Sequence, residues 1–249
     1  MRDGVRSAIA ALGFLTMAPV GRRAVIAAPD LRRGLVWFPL IGALVGGVVG
    51  VVGWGATSLL PAQVAAVLAV VAGAVTTGLL HLDGLADTAD GIGAGLSGRD
   101  PRDVMSDPRV GSFGVVAIVL DLLLKIAVLL ALLERPGFPW EVVAAAALGR
   151  TAVLGLVLTE PYAGSDVASG SWTRDPGRAR CLIGIAVGLA IATAVAGARV
   201  VPMAGAGTLV TFAIARWSSR HLGGSRGDTF GAAIELTESL ALVAALAAA

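Results

Sequence analysis

Of the 249 residues, 56% are hydrophobic and 14% charged, against about a quarter charged in an ordinary soluble domain, so the chain reads as an integral membrane protein. A net charge of +2 and few aromatic residues exclude the basic, aromatic surface with which proteins grip nucleic acid. The single cysteine, Cys181, excludes an internal disulfide framework and, at the start of an apolar run, reads as a packing or lipid-facing residue.

The first apolar stretch, residues 7–20, sits between Arg6 and Arg22 and falls short of the ~17 residues a crossing needs. It is expected to lie in the membrane interface or to re-enter. A cleaved signal peptide matches poorly, because no small-residue cleavage motif leads into a soluble domain. Longer apolar stretches follow at residues 35–60, 62–82, 110–133, 138–159, 181–201, 203–217 and 232–249, which predict about seven crossings. The expected fold is therefore an all-α, polytopic helical bundle with a short N-terminal interfacial or re-entrant helix. No soluble module or low-complexity linker stands out, so residues 1–249 read as one membrane-embedded domain.

Arginines mark the loops unequally. Arg22, Arg23, Arg32 and Arg33 precede the first long stretch, Arg99, Arg102 and Arg109 follow the second, Arg174, Arg178 and Arg180 the fourth, and Arg220 and Arg226 the sixth. The alternate loops hold little beyond Arg135 and Arg199, so the positive-inside rule places the richer loops in the cytoplasm, as in a multi-pass inner-membrane protein. Gly42, Gly46 and Gly50, like Gly184 and Gly188, recur at four-residue spacing, which lets helix backbones approach closely where water supplies no drive for burial.

The densest chemistry lies in HLDGLADTADG, residues 81–91, directly after the second long stretch. Asp83, Asp87 and Asp90 stand at i, i+4 and i+7, so on a helix their carboxylates share roughly 60° of arc. Clustered carboxylates repel, and a divalent cation, or one bound to a phosphate, is their natural partner; the feature reads as a Mg²⁺ site. His81 is first a packed residue and second a proton acceptor. Further on, Asp100, Pro101 and Asp103 form the start signal of a short helix that should end before Pro108. Asp107, at its far end, opposes the helix dipole unless a metal or cationic partner is present.

Within the apolar stretches, Asp121 and Lys125 at i and i+4 read as a self-satisfied ion pair, whereas Arg150 has no charged neighbour within a turn and must face a partner or hold an anion. In GGSRGDTFGAAIELTES, residues 223–239, Asp228 is placed to cap the next helix, Glu235 recurs on the same face seven positions on, and Arg226 can meet a phosphate. The plainer reading makes Asp228 only a cap and Glu235 the neutralised partner of a buried arginine.

Taken together, WFPLIG (37–42), HLDGLADTADG, MSDPRVGSFG (105–114), Lys125, the Gly149–Arg150 pair and LGGSRGDTFGAAIE (222–235) resemble the cobalamin synthase family, the adenosylcobinamide-GDP ribazoletransferases. The similarity runs in order from about residue 33 to 238. It implies a polytopic, Mg²⁺-using enzyme that joins adenosylcobinamide-GDP to α-ribazole or its 5′-phosphate and releases GMP. It carries over Asp83, Asp87, Asp90, Asp107, Asp228 and Glu235 as the acidic positions, with the three aspartates of residues 81–91 and Asp107 as metal ligands. Arg150, Arg226 and Lys125, with Asp228 and Glu235, are the candidates for substrate contact. Pro108 stands where the family often has serine, which stiffens entry to the next stretch. A CDP-alcohol phosphotransferase is the near rival, but Asp83-Gly84 is followed by Leu85-Ala86-Asp87 rather than by the Ala-Arg of that signature. An ion-coupled transporter, with Asp121, Lys125 and Arg150 along a midplane path, is the rival of another class. A homo-oligomer is compatible with any of these readings.

Overall fold

In lipid every backbone N–H and C=O must be satisfied within the chain, and the long apolar stretches accordingly fold as helices. The computed structural model describes residues 2–20, 28–164, 173 and 176–248. Arg22, Arg23 and Arg174, three of the arginines used to orient the loops, lie outside the described residues. Within them the helices are α1 (Arg2–Leu15), α2 (Ala28–Gly34), α3 (Phe38–Ala56), α4 (Ala62–Thr77), α5 (Leu80–Leu96) and α6 (Pro101–Val104), followed by α7 (Ser112–Leu133), α8 (Trp140–Thr159), α9 (Arg178–Ala196), α10 (Val200–His221) and α11 (Gly227–Ala247).

By length and apolarity, five stretches suffice to cross a membrane: residues 28–56, 112–133, 140–159, 178–221 and 227–247. The bent pair α4 and α5 makes a sixth if counted as one span, so the count of seven is not shown. The 44-residue stretch Arg178–His221 would run about 66 Å as one rod, twice the ~30 Å hydrocarbon thickness. It folds back instead at Gly197 (φ 57°). Gly184 of α9 faces Leu154 of α8 and Gly188 faces Thr151, so α9 runs against α8. Gly149 of α8 meets Glu238, Gly207 meets Thr237 and Gly155 meets Thr211, so α10 runs with α8 and against α11. Helix α1, 14 residues long, packs on α2 and α3 and is too short to cross.

The second long stretch departs from expectation. Instead of continuing to residue 82, α4 stops at Thr77, and α5 leaves at 90° to it. Gly78 is left-handed (φ 63°), and the bonds Leu79 N–H to Ala74 O and Gly78 N–H to Val75 O close a Schellman turn. Leu79 is left-handed too (φ 64°), a conformation that costs a residue with a Cβ about 1–2 kcal/mol. Past the break the acidic segment is helical, as the spacing assumed, but belongs to a helix with its own direction.

The glycine rows act as expected: Gly46 lets α3 lie against Val142 and Val143 of α8, where an added Cβ would stand 2.7 Å from Val142 O. At one end of the bundle three loops meet. Tyr162 bridges to Ser225, Ser225 N–H donates to Pro161 O at 2.8 Å, and Arg102 lies beside Gly223. The arginine-bearing loops after the second and sixth stretches therefore share one end, together with the start of α11.

Candidate active site

Helix α5 carries the acids, and its packing sorts them. Gly84 and Gly231 meet Cα to Cα where α5 crosses the first turns of α11, and a Cβ on Gly84 would lie 2.6 Å from Asp228 O. This close crossing places Asp83 and Asp87, on the open side of α5, next to Asp228 at the start of α11. Asp83 is exposed and Asp87 half-buried. The charges of Asp83, Asp87 and Asp228 act on one another, and that of Asp90 acts on Asp87, all opposed by Arg226, whose Nε lies 3.7 Å from Asp228 Oδ2. Two motifs about 140 residues apart thus form one acid face. Gly84→Ala is expected to push the start of α11 away, costing about 1–3 kcal/mol of stability by overpacking and up to about 10²-fold in turnover by misplacing Asp228. A thermal melt and a rate measurement on the same purified variant check both.

Asp90 does not join that face. Its carboxylate accepts Gly111 N–H at 2.7 Å and Gly114 N–H at 2.9 Å, so it caps α7 from across the chain and ties α5 to it. Each oxygen accepts one backbone N–H and the residue is buried, so the carboxylate expected as a metal ligand has a structural role in this arrangement. The i, i+4, i+7 arc placed all three carboxylates on one side of α5, but α7 covers the last of them. Asp107 is likewise elsewhere occupied. It forms a bidentate pair with Arg109, Nε–Oδ1 2.9 Å and Nη2–Oδ2 2.7 Å, in the loop before α7. These hydrogen bonds hold its pKa down to about 2, so it stays ionised at any ordinary pH. The cationic partner that a carboxylate at that position requires is therefore the neighbouring arginine. Asp100 caps α6 through Arg102 N–H at 2.8 Å, with Pro101 at the first turn, as the spacing predicts.

Asp228 is not the cap of α11. Arg226 holds that position, its N–H donating to Thr229 Oγ1 at 2.9 Å, and Asp228 falls in the first turn with its carboxylate left for the acid face. Beside that face is a cavity of about 150 Å³. His81, Asp83 and Asp228 line one side of it, and Phe14 and Phe38, stacked with centroids 6.1 Å apart, line another.

Behind the acid face the charged residues of the apolar helices find one another. Lys125 Nζ lies 2.8 Å from Asp121 Oδ2, pairs closely with Glu235 and stands 4.0 Å from Glu238. Arg150, 1% exposed, pairs closely with Glu238, and Ser239 Oγ donates to Asp121 Oδ1 at 2.5 Å. Lys125, Arg150 and Glu235, expected to touch substrate, are thus engaged with one another's partners inside the bundle. The buried partner of Glu235 is a lysine rather than an arginine. The Asp121–Lys125 pair appears as expected but is not self-contained.

Glu238 and Ser239 escaped the sequence reading. The available signals were the i, i+3 spacing of Glu238 from Glu235 and the need of an isolated Arg150 for a carboxylate. His81 Nδ1 lies 3.4 Å from Arg150 Nη2 and 4.0 Å from Glu235 Oε1. A guanidinium only donates, so in this contact Nδ1 accepts and the ring hydrogen falls to Nε2, in keeping with the reading of His81 as first a packed, hydrogen-bonded residue. Its Nε2 is buried without a partner among the described residues.

The acid face is hard-oxygen in character and short of protein cations, which fits a divalent metal such as Mg²⁺. Asp83, Asp87 and Asp228 are the residues that would hold it. Among the described residues, no three His, Cys, Asp or Glu side chains already stand close enough to share an ion.

Comparison with known proteins shows what the chain is similar to. The family model for cobalamin-5-phosphate synthase matches residues 7–246. An adenosylcobinamide-GDP ribazoletransferase of Pseudomonas paraeruginosa is 40% identical over 98% of this chain and 99% of its own length. The enzyme of that name from Azorhizobium caulinodans is 38% identical over 95% of this chain and 94% of its own length, and that from Clostridium botulinum 32% over 90% and 91%. No solved structure matches the chain. With paired acidic motifs at one end of an apolar helical bundle and a match along nearly all its length, the chain belongs to the cobalamin-5-phosphate synthase family.

Proposed function

We propose that the chain joins adenosylcobinamide-GDP to α-ribazole or its 5′-phosphate at the acid face of α5 and α11, giving adenosylcobalamin or its 5′-phosphate and GMP. The observation that carries the reading is the meeting of Asp83, Asp87 and Asp228 beside a cavity with aromatic walls. A diphosphate needs positive charge to sit among carboxylates, and bound Mg²⁺ supplies that neutralisation, as positioned phosphoryl transfer requires. Asp83, Asp87 and Asp228 would hold such an ion, and Arg226 would meet a phosphate oxygen. Phe14 and Phe38 offer a planar, apolar wall to the base of α-ribazole.

The 3′-hydroxyl of α-ribazole attacks the phosphorus on the cobinamide side. The new O–P bond forms as the P–O bond to GMP breaks, GMP keeps that electron pair, and the hydroxyl proton passes to solvent water at the open side of the face. His81, a donor as placed, steadies a phosphate oxygen through Nε2–H. The face is cytoplasmic in this reading, because the arginine-bearing loops share its end.

The test incubates membranes containing the chain with adenosylcobinamide-GDP, α-ribazole 5′-phosphate and Mg²⁺. Completed cobalamin phosphate and equimolar GMP are expected, with both lost when the metal is chelated. Product formation unaffected by chelation overturns the metal's part, and absence of GMP overturns the reaction.

A further inference from the structure

A second cavity, far larger than the one at the acid face, lies between α8, α9 and α10 and measures about 570 Å³, within the ~300–1,000 Å³ range of ligand sites. Its walls are unusual in one respect. Thr151, Thr159, Thr208 and Thr211 line it, yet each hydroxyl donates to the carbonyl four residues back on its own helix. The threonine hydroxyls are thus satisfied within their own helices, and with Leu148, Ile185 and Leu189 the groove is largely apolar.

One end differs. Glu160 and Arg216 stand there with Ser219, and Glu160 Oε2 is buried with no hydrogen-bond partner among the described residues. A buried carboxylate oxygen without a donor is costly, about 1–3 kcal/mol or more, so the site lacks an N–H that something else brings. From Leu148 to Thr159 the groove follows α8 for about 17 Å, about half of the ~30 Å hydrocarbon core, the depth of one leaflet.

We infer that this groove holds one phospholipid with a primary-ammonium headgroup, its ammonium on Glu160, its phosphate on Arg216 and an acyl chain along α8 and α10. The two opposite charges at the mouth, not paired with each other, match a zwitterionic headgroup, whereas an anionic lipid leaves Glu160 unmet and a quaternary ammonium offers it no N–H. The mouth opens at the end of the bundle that carries the acid face, where the Pro161–Ser225 bond joins the segment after Glu160 to the start of α11. The lipid thus sits where it anchors the segment that presents Asp228.

The full chain, reconstituted with equal parts phosphatidylethanolamine, phosphatidylglycerol and phosphatidylcholine and released into detergent, is read by native mass spectrometry. One phosphatidylethanolamine is expected to remain bound, favoured about tenfold over each of the others, the scale of a charge-assisted hydrogen bond. Glu160→Gln is expected to bring the preference over phosphatidylcholine close to parity. Thr208→Trp, at an exposed position on the groove wall, is expected to fill the groove and remove the lipid while the protein stays monodisperse. Equal retention of the three lipids, or undiminished retention by Thr208→Trp, overturns the assignment. Displacement of the lipid by α-ribazole overturns it too, giving the groove to a substrate. None of these readings depends on turnover, so they stand apart from the test of the reaction.

Discussion

Asp87→Asn is expected to lower turnover by about 10²–10³-fold with no loss of folded protein, whereas Asp90→Asn is expected to do the reverse. The two residues are one helical turn apart in the same motif. Asp87 is half-buried among Asp83 and Asp228, and its charge serves whatever cation occupies the face. Replacing it by an amide of equal size removes charge and leaves packing intact. Asp90 instead spends both oxygens on the Gly111 and Gly114 N–H groups. Its amide variant keeps one acceptor but turns an NH₂ toward a backbone donor, which costs about 1–3 kcal/mol. Rate per folded molecule, Mg²⁺ concentration for half-maximal rate and melting temperature, measured on both variants, separate the roles. A matched fall in rate for Asp90→Asn with unchanged stability would return that residue to the metal.

The other large effect concerns the buried charges. Arg150→Met is expected to destabilise the bundle by about 3 kcal/mol, because the partly buried Glu238 then keeps only Lys125, 4.0 Å away, as a cationic partner. Arg150→Met with Glu238→Met is expected to recover most of that loss, since the two methionines restore an apolar contact of similar size. Folded yield in detergent and melting temperature report the result. A double variant no more stable than the single one would mean that Arg150 answers to something other than Glu238. The same double variant tests the transporter reading: if Arg150 served an anion path rather than the fold, restoring stability would leave function absent.

The order of helices was legible because the bilayer imposes it: long apolar runs have no alternative to helix, and glycine rows mark where helices touch. The acidic motifs were legible as well, since carboxylates next to apolar runs are too costly to be incidental. Composition and motif order were likewise enough to indicate the family. What local spacing left open was which carboxylates share a space. Helical periodicity grouped Asp83, Asp87 and Asp90, but the N-terminus of α7 claims Asp90, and the Gly84–Gly231 crossing brings in Asp228 from the other end of the chain. The same limit applies to Lys125, Arg150 and Glu235, each read alone as a candidate for substrate and each neutralised by a partner on another helix. Which residues are helical or buried follows from the cost of moving each group into lipid, a cost set residue by residue. The charge pairings follow from where helices cross: the left-handed break at Gly78 and Leu79 sets the direction of α5, and glycine rows show that a helix is approached closely without showing by which partner.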